Sequence, residues 1–450
     1  MILPPKWVSK IWRERYLRRN SLSTAELDQF QKLDAAAQKV LLVTRLQAQI
    51  AYFAARADAL PEWKEAAQIR DPEAFWQAWP RLPIVTKEML RQHFPASEIG
   101  RRFQIEGQVK STGGSTGEPT AFFHDTEMTK SIDGLSDWTA GQMGWRPGMA
   151  KVILWGAEED IGRHTPLSAR IYHALARNEV VAGYNLTEAT ARRVRHAVAK
   201  HSPVAMYGFT SMLAEVARTL LASGQLVPEG SVAVAWNGGE ALLPAQNEVF
   251  KRVFHTPILN RYGSREMGSI AHQQTEAGPL LISRPWYVVD IVDDDGRPAQ
   301  PGEPGSLLVT STICRGTPFL RYRIGDAATF DIPYRTESGI TALSSLDGRL
   351  AGIVQLADGR KINNIVWNHL FKEFAEVEQF QVVVQKNGFL RIRLKGAIPA
   401  GTGHGPLHQA ISRLLRDNAF EISWVDEIPL TSRGKLLQVV QEGDESAGAR

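Results

Sequence analysis

Ser111-Thr112-Gly113-Gly114-Ser115-Thr116-Gly117-Glu118-Pro119-Thr120 packs three glycines and five hydroxyl side chains into ten residues. Glycines let a backbone turn tightly and bring its N–H groups close to an anion, and hydroxyls add donors around it. That is chemistry for holding phosphate. The loop is not of the Walker type, because no Gly-Lys-Ser/Thr follows the required spacer. A Gly/Ser-rich surface loop is the plain alternative. Four further segments carry charge or aromatic rings in chain order: Asn260-Arg261-Tyr262-Gly263-Ser264-Arg265-Glu266, Pro318-Phe319-Leu320-Arg321-Tyr322-Arg323-Ile324-Gly325-Asp326, Asp347-Gly348-Arg349 and Leu430-Thr431-Ser432-Arg433-Gly434-Lys435.

The elements that must position these groups follow from periodicity. Residues 21–70 read as helical, with apolar positions three and four apart. Leu82-Pro83-Ile84 is a turn, and a helix starts at Thr86. Beyond the glycine loop, strands at Lys151–Trp155, Val180–Ala182 and Ser231–Trp236 alternate with amphipathic helices at Ala189–Lys200 and Ser211–Ala222. This alternation predicts an α/β fold with a largely parallel sheet. From Gly278 the chain turns β-rich, with strands expected at Gly278–Ile282, Tyr287–Val292, Ser306–Ser311 and Ala328–Ile332. A boundary near Asp347 separates a domain over residues 1–346 from a small α+β domain over 347–450. The latter has strands at Phe380–Gln385, Leu390–Leu394 and Trp424–Ile428 and a helix at Gly405–Asn418.

Composition bounds the function. The chain has 450 residues, 43% hydrophobic and 22% charged, with a formal net charge of +4. These values suit a globular protein of two or three domains that handles small anions. No zinc-finger spacing or RNA-binding aromatic motif argues for nucleic acid. No apolar run reaches the length of a membrane span, and a secretory signal is not expected, since residues 1–20 are basic without an apolar run or a small-residue cleavage site. The single cysteine, Cys314, allows no internal disulfide and reads as a small buried residue. A cytoplasmic setting is expected. The basic stretch Pro5–Arg19 carries an apolar stripe of Val8, Ile11, Trp12 and Tyr16, which either packs on its own domain or lies on an anionic membrane surface.

Together the five segments resemble the adenylate-forming superfamily of acyl-CoA synthetases, luciferases and peptide-synthetase adenylation domains. Leu82-Pro83-Ile84-Val85-Thr86-Lys87, the Thr120 ending of Gly117-Glu118-Pro119-Thr120 and the Arg321-Tyr322-Arg323 form are similar to the phenylacetate-CoA ligase branch. The resemblance implies a large ATP- and acyl-binding domain and a mobile C-terminal domain carrying a catalytic lysine. It implies ATP and Mg²⁺ as cofactors, a carboxylic acid as substrate and CoA as the expected co-substrate. A homodimer is left open.

The same resemblance assigns roles. Ser111, Thr112, Gly113, Gly114, Ser115, Thr116 and Gly117 would cradle the β- and γ-phosphates. Glu266 would position Mg²⁺, a hard cation that prefers carboxylate and phosphate oxygens. Tyr262, followed by Gly263, would lie against adenine, with Gly238-Gly239-Glu240 as the other wall. Asp326 would accept from both ribose hydroxyls, and Arg349 would add a donor there. Lys435 would bridge the attacking carboxylate and the α-phosphate.

Two positions depart from that pattern. Arg265 stands where the superfamily has Thr or Ser, and it either neutralises phosphate or turns into solvent. Ala351, followed by Gly352, stands at the hinge, a variant similar to capsule-biosynthesis homologues and to enzymes that adenylylate a deazaflavin. These departures leave three fates for the adenylate chemistry: transfer to CoA, capture by an amine or AMP transfer to a hydroxyl, and nucleotide binding without turnover. Trp155, Tyr184, Tyr207, Phe209 and Trp236 flank the matched segments. They suit either a flat aromatic acid or the core.

Overall fold

The computed structural model describes residues 4–20, 24–56, 58–111, 120–155, 167–182, 186–349, 354–356, 360–362, 366–367, 370–371, 373–385, 387–397, 405–429 and 436–442. The chain divides into two compact units. One comprises residues 1–13, 144–260 and 347–450, and the other residues 14–143 and 261–346.

In the first unit, Asn178–Val181, Ala150–Leu154, Val204–Gly208, Val232–Asn237 and Ile258–Leu259 form a parallel sheet in that spatial order. Their near-continuous apolar runs match a sheet buried on both faces. The helices Glu188–His201, Thr210–Ala222 and Pro244–Phe254 supply the covering core, with Val194, Leu213 and Phe250 fully buried. The expected α/β class is what the chain adopts. Register sets Tyr207 beside both Ile153 and Trp236, so neighbouring strands end level with one another.

Residues 354–442 of the same unit have an apolar core of their own around Trp367, Phe380, Ile392 and Ile411. It is built on a sheet ordered Phe420–Trp424, Leu390–Gly396, Val377–Val384 and Val439–Gln441, with the helix Gly405–Leu415. The strand expected at Trp424–Ile428 ends at Trp424 instead. Alternation holds over Phe420-Glu421-Ile422-Ser423-Trp424, which pairs parallel with Leu390–Leu394. Past Val425, Asp426, Glu427 and Pro429 offer nothing to continue it. A bulge between Val377 and Gln379 places Glu378 out of the ladder. There Arg218 of the Thr210–Ala222 helix pairs with it and with Glu215, and Lys395 Nζ lies 3.1 Å from Glu215. Four charges of alternating sign thus tie this sheet to that helix.

The second unit is built on the helices Ala25–Gln31, Ala35–Ala54, Pro61–Ala66, Pro72–Ala78, Lys87–His93, Ala96–Phe103 and Thr126–Met143. Thr86 caps Lys87–His93 through the Met89 N–H at 3.2 Å. Two antiparallel sheets complete it. One contains Arg261–Ser264, Gly268–His272, Leu280–Ile282 and Ala342–Leu343, the other Tyr287–Val292, Gly305–Ser311 and Tyr322–Thr329. The last of these corrects the expected Ala328–Ile332. Pairing with Gly305–Ser311 begins at Tyr322, inside a segment read as a motif, and Pro333 confines Ile332–Tyr334 to one 3₁₀ turn. Cys314 is fully buried, and burial pushes its thiol pKa well up.

Candidate active site

The second unit holds the two strands that flank the glycine loop. Gly107–Ser111 and Ala121–Asp125 pair antiparallel with Ser111 opposite Ala121. The glycine loop therefore connects the two strands of a hairpin. Thr112, Gly113, Gly114, Ser115, Thr116 and Gly117 lie outside the described residues. At the hairpin's other end a Cβ on Gly107 would stand 2.2 Å from the His124 carbonyl, so only glycine fits there.

Residues 265–267 are the turn between Arg261–Ser264 and Gly268–His272. Gly263 is required where the two strands cross, since a Cβ would meet the Gly268 carbonyl at 2.3 Å. Tyr262 is buried, and its hydroxyl donates to Asp326 Oδ2 at 2.7 Å. Two residues 64 positions apart, read separately as base and ribose ligands, are thus one hydrogen-bonded pair. Glu266 is 5% exposed, and Tyr322 Oη lies 3.4 Å from its Oε1. His124 Nε2 lies 2.8 Å from the Glu266 carbonyl. A carbonyl only accepts, so Nε2 carries the proton. Burial lowers the His124 pKa to about 4, which keeps the ring neutral.

Arg265 meets neither expectation alone. It is exposed, and its Nη1 donates to the Ser111 carbonyl at 3.3 Å, at the first residue of the glycine loop. The neighbouring Arg321 is 2% exposed, lies 3.6 Å from Asp290 and donates to the Leu82 carbonyl. It braces the fold, whereas Tyr322 faces Glu266. Tyr322 lies on the same strand as Asp326, and the buried, part-buried, buried alternation of Tyr322-Arg323-Ile324 is a signal that could have singled Tyr322 out. For His124 the signal was a lone imidazole in the alternation of Phe122 and His124.

Mg²⁺ fits these residues in one way. Glu266 offers a single carboxylate, and the described residues contain no cluster of three or more His, Cys, Asp or Glu side chains. That donor set suits a cation that arrives with phosphate oxygens and keeps water ligands, rather than one held in a protein cage.

The first unit holds the aromatic residues. Trp155, Tyr207 with Phe209, and Trp236 stand at the carboxyl ends of adjacent parallel strands, where open α/β sheets bind ligands. They stack on one another: Phe209 and Trp155 at 4.1 Å and 15°, Trp155 and Tyr207 at 5.4 Å and 21°, Tyr207 and Trp236 at 5.8 Å and 25°. Phe209 and Trp236 are core residues, while Trp155 is 38% exposed. Tyr184 lies outside the described residues.

Gly238 and Gly239 press against this ladder. Cβ atoms there would meet Tyr207 Oη at 2.9 Å and Phe209 Cε1 at 2.7 Å, and Gly239 has φ +77°. The Glu240 carboxylate accepts from the Ser211 N–H at 2.8 Å and hydroxyl at 3.0 Å, at the head of the Thr210–Ala222 helix. Glu240 therefore anchors the glycine turn to that helix. Asn237 Nδ2 adds bonds to Thr210 Oγ1 at 2.9 Å and the Glu240 carbonyl at 3.1 Å. Arg349 ends the strand Ser345–Arg349. Ala351, Gly352 and Lys435 lie outside the described residues.

Residues 179–315 match the AMP-binding enzyme family. Protein CapK of Staphylococcus aureus is 22% identical over 289 residues, which are 63% of this chain and 62% of that protein. Among solved structures, 2-hydroxyisobutyryl-CoA ligase in a postadenylation state with R3-HIB-AMP aligns at TM-score 0.66 and 17% identity, covering 92% of this chain and 91% of that one. The anthranilate CoA ligase AuaEII with anthranoyl-AMP aligns at TM-score 0.51 and 16% identity, over 73% of this chain and 64% of that one. The chain has the fold of these ligase structures, and its residues 179–315 match the AMP-binding enzyme family.

Proposed function

We propose, with that fold and that segment as premise, that the protein is an ATP-dependent acid ligase. An oxygen of a carboxylate attacks the α-phosphorus of ATP, the bond to the β-phosphate breaks, and pyrophosphate leaves with both of its electrons. The product is an acyl-adenylate. In the second step the CoA thiolate attacks the acyl carbon and AMP departs. The observation that carries this reading is the Tyr262–Asp326 pair in the same unit as the buried Glu266.

Both reactants of the first step are anions, so the work of catalysis is charge neutralisation and alignment. In this reading Asp326 accepts from the ribose hydroxyls, and its bond from Tyr262 fixes the carboxylate while the ring covers adenine. The glycine loop holds the leaving phosphates. Glu266 would hold Mg²⁺, which when bound neutralises phosphate charge. Lys435, carried by residues 347–450, places a point charge on the attacking carboxylate and the α-phosphate. The partly exposed Trp155 on a pre-stacked ladder supports an aryl or arylacetic acid, because stacking on a rigid ring costs little ordering entropy.

The test is pyrophosphate release over a panel of carboxylic acids, with and without CoA. Release that requires an aromatic acid, with thioester formed when CoA is present, is the expected result. Release without any acid overturns acid activation, and release without thioester moves the acceptor to an amine. Absence of release with every acid leaves a nucleotide-binding protein and ends the ligase reading.

A further inference from the structure

The Lys6–Asn20 helix carries six cationic side chains and one carboxylate, Glu14. Its inner face is occupied. Trp12 packs edge-on against Tyr172 at 5.6 Å, and Arg13 Nη1 donates to Tyr172 Oη at 2.7 Å. Its start rides directly over the 146–149 turn, where a Cβ on Gly148 would stand 2.8 Å from the Lys6 carbonyl. That close seat opens a cleft of about 270 Å³ bordered by Lys6, Trp7, Lys10 and Arg146. Three cations line it and, among the described residues, no carboxylate does.

The outer surface beside the cleft is apolar. Trp7 is 67% exposed and Ile11 44%, four residues apart and hence on one helical face. The helix Leu167–Leu175, which carries Tyr172, exposes Leu167 at 70% and Ile171 at 50%, with Arg170 also exposed. Four of the eleven exposed large apolar side chains among the described residues thus lie on two helices packed together. The apolar stripe read from the sequence is therefore divided. Val8 and Trp12 pack inward, while Ile11 joins Trp7 outside.

We infer that this face docks the protein peripherally on an anionic phospholipid surface, with headgroup phosphates among Lys6, Lys10 and Arg146 and with Trp7 and Ile11 entering the headgroup layer. An interface-lying helix has this chemistry: lysine and arginine toward phosphate, with tryptophan and aliphatic side chains toward the acyl boundary. Charge complementarity selects an anionic bilayer over a neutral one. No described helix is long and apolar enough to cross a membrane, so the contact is with the surface alone.

The full chain is tested by co-sedimentation with vesicles of phosphatidylglycerol mixed with phosphatidylcholine, against vesicles of phosphatidylcholine alone. Binding to the anionic vesicles only, falling as salt rises, is expected. The double variant Lys6→Ala/Lys10→Ala should partition roughly thirty-fold more weakly. Trp7→Ser/Ile11→Ser should lose binding with its charge and melting temperature intact. Equal binding to both vesicle types, or double variants that bind as the parent does, overturns the inference. So does a concentration-dependent dimer that Trp7→Ser/Ile11→Ser abolishes while no vesicle binds, since the face then belongs to a second copy of the chain.

Discussion

At the scale of single residues, the informative groups hold one another before any ligand arrives. The Tyr262–Asp326 bond orients a carboxylate that in the proposed reaction contacts ribose in the ground state and in the transition state alike. Asp326→Ala should therefore raise KM for ATP with kcat for adenylate formation little changed. A fall in kcat at unchanged ATP affinity would remove Asp326 from ribose binding. Lys435→Ala should do the reverse, slowing pyrophosphate exchange by orders of magnitude while calorimetry still detects ATP. His272 gives a pH prediction. Neither of its ring nitrogens has a hydrogen-bond partner among the described residues, and burial, then Arg261, lowers its pKa to about 4. An imidazole that is neutral when folded and protonates near its ordinary pKa when unfolded stabilises the fold above that value. The contribution is lost as pH falls from 6.5 toward 4. Between about pH 7 and pH 5 the loss is about 2 kcal/mol. Urea midpoints should fall over that range, and His272→Leu should flatten the slope.

At the scale of elements, one carboxylate gathers three of them. Asp125 ends the strand Ala121–Asp125. It accepts from the Arg315 and Gly316 N–H groups at 2.6 and 2.9 Å and from the Met128 N–H at 2.9 Å in the first turn of Thr126–Met143. Asp125→Ala leaves those donors without their partner and should cost about 2–4 kcal/mol in chemical denaturation. Asn should restore part of it. Most of the elements were legible in the sequence, because period 2 and period 3.6 report burial directly. The parallel strands expected at Lys151–Trp155, Val180–Ala182 and Ser231–Trp236 and the helices Glu188–His201 and Thr210–Ala222 fall within a residue or two of where periodicity put them, whereas the parallel strands Val204–Gly208 and Ile258–Leu259 were not expected. What periodicity misses is partnership. The strand beginning at Tyr322 was hidden in a charged segment read as a motif. Arg321 proved to be a buried brace with φ +44°. The partner of His124 was not legible because it is a backbone oxygen 142 residues away. Glu240 reads as part of a nucleotide wall in sequence, yet its carboxylate is spent on Ser211.

At the scale of the molecule the described residues form three separate apolar cores: one around Trp63 and Tyr287, one around Leu213 and Phe250, and one around Trp367 and Phe380. Cooperative unfolding depends on a shared core, so this chain should not melt in one step. Far-ultraviolet dichroism, which reports all three cores together, and near-ultraviolet dichroism, dominated by the tryptophans, should give transitions that do not coincide. A single coincident transition would show that the cores fold as one. The division also bears on what sequence could reveal. Motifs can point to a chemistry because each is local, whereas the grouping of residues 144–260 with 347–450 depends on contacts between segments far apart in the chain.

Two cores in the first unit belong to residues joined through the charges on Glu215, Arg218, Glu378 and Lys395. Parting that joint exposes these four ions to water. Hydration of polar surface lowers heat capacity where apolar surface raises it. The joint's hold should thus vary little with temperature while the cores follow their curved stability profile. Ionic strength becomes the variable that weakens one without disturbing the other.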